Sequence, residues 1–138
     1  MKSVFIDTNI FLDIYLNRNE FIEQSMAVWA ACETGKVHGV VSAMTLNNIY
    51  YFYAKSEGCQ KALKAVDLML AIFKVVPLDV KILRLAVANP GNDFEDATQL
   101  YSALEAQASC IVTRDINDFP KGLIPILTPG EFLFKLNP

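Results

Sequence analysis

Short β-branched runs alternating with longer helical stretches restrict the fold of this chain more than any other feature. Residues 3–6, SVFI, are apolar and end at Asp7, which reads as a buried strand. Residues 20–34 space Phe21, Met26, Trp29, Ala30 and Cys32 as a helix, with Gly35 as its stop. HGVVS (38–42) reads as a second strand, 43–57 as a helix stopped at Gly58, and 60–73 as another helix. KVVPL (74–78) is a third strand, and Asp79 can cap the helix VKILRLAVA that follows. Beyond the turn NPGN (89–92), residues 94–108 read as a helix, and CIVT (110–113) and IPIL (124–127) as strands. TPGEFLFKL (128–136) closes with a short helix capped by Thr128, with Pro129 in its first turn. This alternation predicts an α/β fold, a parallel sheet covered by helices on both faces. With no repeat or linker in view, residues 1–138 read as one domain with a real core.

Charge and cysteine content narrow the functions. The formal net charge is −3, so whole-chain attraction to phosphate is absent, and any nucleic-acid contact needs local basic residues or bridging metal ions. No apolar run approaches the roughly 20 residues of a membrane span, and the apolar part of the N-terminus is too short for a signal peptide. The expected location is the cytoplasm. Cys32, Cys59 and Cys110 form no CxxC pair and read as small buried hydrophobes. The lone histidine, His38, leaves no basis for zinc-hydrolase or Ser-His-Asp chemistry. Neither GxGxxG nor GxxxxGK[ST] occurs.

Acids fall where an open parallel sheet binds ligands, beyond the carboxyl ends of its strands. Asp7 follows the first strand directly; Asp115 comes two residues after CIVT, with Asp118 close behind. The stretch NDFEDATQ (92–99) adds Asp93, Glu95 and Asp96 at a helix start. Asp93 reads as a cap, and Glu95 lines up with Thr98, Gln99 and Ser102 on the polar, solvent-facing side. Asp96 lines up with Leu100, Ala103 and Leu104 on the apolar side and should point inward. An inward carboxylate needs a partner, either a buried Arg or Lys or a metal ion. With several carboxylates converging and few basic residues nearby, hard-oxygen ligation of Mg²⁺ or Mn²⁺ is the better account.

The segments FIDTNIFLD (5–13), FEDATQLYSAL (94–104) and VTRDINDF (112–119), in that order, resemble the PIN-domain ribonucleases. SAMTLNNIYY and IPILTPGEFL (124–133) are similar to the bacterial VapC-type toxin branch. The resemblance spans essentially the whole chain. It implies a single PIN-like domain with a sheet of order 3-2-1-4-5, and a Mg²⁺- or Mn²⁺-dependent endonuclease that cuts RNA and leaves a 5′-phosphate. Asp7 matches the first family acid, Asp96 the third and Asp115 the fourth, with Asp118 as an additional acid. These four are the candidate metal-binding and catalytic residues. Thr8, Asn9 and Thr113 are the supporting polar neighbours. Arg114, Lys121 and Arg18 are candidates for the RNA backbone, and Asp93 and Glu95 are second-tier acids. Toxins of this branch are homodimers neutralised by a small antitoxin, which gives the expected partners. The family's usual glutamate, early in the helix after the second strand, is here Asn48. Asn48 offers a carbonyl oxygen but no charge. The alternative it keeps open is a catalytically degenerate module that binds RNA or protein. A haloacid-dehalogenase-type site is opposed by Asn9, where a second acid is needed, and a receiver-type site by the poor position of Lys121.

Overall fold

The computed structural model describes residues 2–137. The elements are β1 (Ser3–Ile6), α1 (Thr8–Tyr15), α2 (Ile22–Glu33), β2 (His38–Ser42), α3 (Ala43–Glu57), α4 (Cys59–Ile72), β3 (Lys74–Val76), α5 (Val80–Ala88), α6 (Phe94–Glu105), β4 (Cys110–Val112), β5 (Ile126–Leu127) and α7 (Pro129–Leu136), with a 3-10 turn at Ile116–Asp118. The five strands form one sheet in the order β3-β2-β1-β4-β5. Every pairing is parallel. The fold expected from the strand–helix alternation and from the family resemblance is therefore the one observed.

Alternation along β1 divides the core in two. Val4 and Ile6 face one side with Phe11, Val28, Ile49, Met69 and Phe132; Phe5 faces the other with Ile82, Leu100, Ala103 and Phe119. Helices α1–α4 and α7 thus cover one face, while α5 and α6 cover the other. In β2, Gly39 is required by close approach: a Cβ there would lie 2.5 Å from the Phe73 ring and 2.8 Å from Cys32 Sγ.

Three local expectations need correction. Helix α1 was not foreseen: its eight residues are mostly β-branched or aromatic, so local propensity is weak. Asp7 caps it, accepting from the backbone N–H of Thr8. The Glu95 side of α6 is not a solvent face. Glu95 itself is exposed, but Thr98, Gln99 and Ser102 are buried, with Thr98 and Gln99 bonded to Met44 and Thr45 of α3. Cys59 is exposed, whereas Cys32 and Cys110 are buried as expected.

Candidate active site

β1 and β4 are neighbours, although they lie at opposite ends of the sequence. Their register pairs Ile6 with Val112. The backbone N–H of Asp7 continues the ladder by donating to the Val112 carbonyl at 3.0 Å. Chain order reverses here, so the two strand-end loops open on the same crevice.

Asp7 is 7% exposed and held at both oxygens. Oδ1 accepts from the Thr8 backbone N–H at 2.9 Å and from Gln99 Nε2 at 3.0 Å; Oδ2 accepts from Thr113 Oγ1 at 2.8 Å. Thr113 Oγ1 in turn accepts from Asn9 Nδ2 at 3.2 Å and from the Asp115 backbone N–H at 3.1 Å. Asn9 Nδ2 also donates to Asp115 Oδ2 at 3.1 Å, and Asn9 Oδ1 accepts from the Arg114 N–H at 3.4 Å. The polar residues expected beside the acids thus tie Asp7 to the Asp115 loop.

The acids sense one another. Burial raises the Asp7 pKa and Asp115 adds to the effect, against the opposing hydrogen bonds from Gln99, Thr113 and Thr8. Asp96, half-buried at the start of α6, is pushed up to about 7, first by burial and then by Asp7, Asp93 and Asp118. Glu95 is raised by burial, Asp93 and Asp7. Asp93 caps α6, accepting from the Glu95 N–H at 3.2 Å.

Two of the three candidate cations are committed to Asp13. This carboxylate is 0% exposed, and Oδ2 accepts from Arg114 Nε at 2.8 Å and Ser25 Oγ at 3.1 Å. Arg18 Nη1 lies 3.5 Å from Asp13 Oδ1. The Arg114 guanidinium also stacks on the Phe21 ring, 4.0 Å from its centroid. Lys121 is exposed. Asn48 is half-buried on α3, one turn beyond Thr45.

Sequence reasoning missed Asp13 and Gln99. Asp13 lies inside the FIDTNIFLD motif, six residues after Asp7, and its burial depends on an unforeseen helix. Gln99 is one turn beyond Asp96, 1% exposed, and its Nε2 also lies 3.1 Å from Thr45 Oγ1 and 3.2 Å from Thr8 Oγ1. Its Oε1 is buried with no hydrogen-bond partner among the described residues. The available signal was a Gln three residues after an acid in the first turn of a helix.

The donor set suits a hard divalent cation in chemistry: it is all oxygen, and its carboxylates are destabilised by one another. Among the described residues, however, no three His, Cys, Asp or Glu side chains converge as a ready ligand set. Mg²⁺ keeps several of its waters in most protein sites, so it does not require three protein carboxylates in direct contact.

The model of the PIN domain family matches residues 3–117, and the chain belongs to that family. Among solved structures it is similar to a toxin–antitoxin complex from Klebsiella pneumoniae, with a TM-score of 0.70, 21% identity, and coverage of 92% of this chain and 98% of the other. It is also similar to VapC20 of Mycobacterium tuberculosis, a toxin that cleaves the sarcin-ricin loop (TM-score 0.66, 15% identity, 79% and 87% covered). A third is DNA-bound VapBC from Salmonella typhimurium (TM-score 0.65, 19% identity, 94% and 99% covered). At these identities the likeness is one of fold. No curated protein sequence matches the chain.

Proposed function

We propose that the chain is a divalent-metal-dependent endoribonuclease and the toxin of a toxin–antitoxin pair, with residues 1–138 acting as one nuclease domain. The observation that carries this reading is the pairwise repulsion that Asp115 exerts on Asp7, and Asp7 and Asp118 on Asp96, beside the β1/β4 crevice of a PIN-family member. Asp7, Asp96, Asp115 and Asp118 would hold Mg²⁺ or Mn²⁺, directly or through water. When bound, such an ion supplies Lewis acidity to the scissile phosphate and the attacking water.

The protein's own groups do the rest. Asp7 is fixed at both oxygens and acts as the anchoring ligand. Asp96 or Asp118 would accept the proton of the attacking water. Asn9 and Thr113 set the position of Asp115. Lys121 is free to meet the RNA backbone, while Arg114 and Arg18 first serve Asp13. In-line attack would leave a 5′-phosphate.

The similar structures that contain an antitoxin support a small antitoxin as partner; a homodimer and a cytoplasmic location belong to the same reading. No helix among the described residues is long and apolar enough to cross a membrane.

Asn48, and the absence of a ready ligand set, favour a second reading: a degenerate module that binds RNA or protein. Cleavage of a mixed RNA pool separates the two. A nuclease cuts with Mg²⁺ or Mn²⁺, stops with chelator, and is inactive as Asp96→Asn. RNA binding with no metal-dependent cutting leaves the degenerate module.

A further inference from the structure

The acid cluster is flanked by two cavities of different character. One, about 130 Å³, is lined by Asn92, Asp93, Asn117 and Asp118 among others. The other, about 280 Å³, includes Asp115 and is otherwise walled by Phe21, Gln24, Ser25, Arg114, Thr128 and Pro129. The first adds acids and amides to an already negative site. The second carries a cation, an aromatic ring and an amide.

Arg114 is fixed at the cavity wall rather than free to swing. Its Nε is bonded to Asp13, and its Cζ sits over the Phe21 ring, 4.0 Å from the centroid. It therefore sets a planar guanidinium and an aromatic ring side by side in the cavity wall. Guanidinium planes and aromatic rings are the surfaces on which unpaired bases stack. Gln24 lies nearby over the start of α7, where a Cβ on Gly130 would come within 3.2 Å of its Nε2. Gly130 thus leaves room for an amide that can both donate and accept along a base edge. The volume lies just below the roughly 300–1,000 Å³ of pockets for drug-sized molecules, a scale suited to one heterocycle.

We propose that this cavity docks one unpaired nucleobase of the RNA substrate, the nucleotide next to the scissile phosphate. The base stacks on the Arg114–Phe21 pair, and Gln24 reads its edge. The proposal rests on the RNA-cleaving reading and deepens it: phosphate and metal contacts are alike at every nucleotide, so a base pocket is where sequence preference would arise.

Two measurements on the full chain test it. In metal-free NMR titrations, 5′-mononucleotides should shift the backbone signals of Phe21, Gln24 and Arg114, while ribose 5-phosphate should not. Gln24→Ala should weaken the nucleotide response several-fold. No shift, or the same shift with ribose 5-phosphate, overturns the proposal. In cleavage assays, an abasic nucleotide beside the cut bond should slow the wild type by about tenfold, the scale of one lost stacking contact. Phe21→Leu should cut intact and abasic RNA at similar rates. Equal wild-type rates on both RNAs overturn the pocket and leave the nuclease standing. Base-dependent binding with no cleavage of any RNA retains the pocket and removes the nuclease.

Discussion

Gln99 Nε2 lies 3.0 Å from Asp7 Oδ1, joining residues 92 positions apart at the centre of the acid cluster. The same amide's oxygen is buried with no hydrogen-bond partner among the described residues. An unpaired buried acceptor costs about 1–3 kcal/mol, so Gln99 is a poor choice for stability alone. It is a good choice for holding a carboxylate in one orientation.

Gln99→Leu should separate these roles. Losing the orphaned oxygen is a gain, but the buried Asp7 Oδ1 and Thr45 Oγ1 lose a donor, so Gln99→Leu should destabilise by about 1–2 kcal/mol. Mn²⁺ affinity should fall by about 10–100-fold, as when a group orienting a metal ligand is lost. Urea unfolding and calorimetric Mn²⁺ titration check the pair; large destabilisation with unchanged affinity would make Gln99 a purely structural residue.

Asp96 predicts a pH dependence with a definite sign. Its pKa is raised from 3.8 to about 7, so the folded state holds this proton more tightly than the unfolded state. In the metal-free protein the stability from this group is full below pH 3.8 and is lost as pH rises from there to about 7. After allowance for solvent screening, the loss from this group is on the order of 1–2 kcal/mol. Asp96→Asn should match wild type at the acid end and become the more stable protein towards neutrality. Urea midpoints of both proteins across the window test this, and a constant difference would refute it.

Asp13 should matter for folding first. Its Oδ2 is bonded to Arg114 and Ser25 and its side chain is fully buried. Asp13→Ala strands the Arg114 guanidinium and should cost about 3 kcal/mol, the low end for a broken buried pair because Arg114 is partly exposed. The thermal midpoint measures it.

Gly39→Ala should destabilise by about 2–3 kcal/mol, because the new methyl meets the Phe73 ring at 2.5 Å and Cys32 Sγ at 2.8 Å. Adding Phe73→Leu should recover part of the loss in denaturant unfolding, since it removes the nearer obstacle.

Sheet and helices were legible in the sequence because hydrophobic period and caps agree along most of the chain. Asp79, Asp93 and Thr128 cap the helices they were expected to cap. Helix α1 was hidden because its residues favour strands locally, and packing of Ile10 and Phe11 decides the matter. In α6, helical periodicity separates apolar from polar residues, but it cannot tell a polar face in water from one buried against Asp7 and Thr45. That ambiguity concealed Gln99. The roles of Arg114 and Arg18 were hidden for a related reason: Asp13, which holds both, reads as one more acid until the fold encloses it.

The ladder from Val112 to Asp7 also governs when the crevice can exist. Asp7 is made early in synthesis, whereas β4 follows about a hundred residues later. Closing so long a span is entropically costly and is completed only by the parallel pairing itself. A nascent chain ending at β3 holds Asp7 but neither Asp96 nor Asp115. Whatever chemistry the crevice performs is thus withheld from the chain while its first half is still emerging from the ribosome, a delay written into strand order rather than into any separate safeguard.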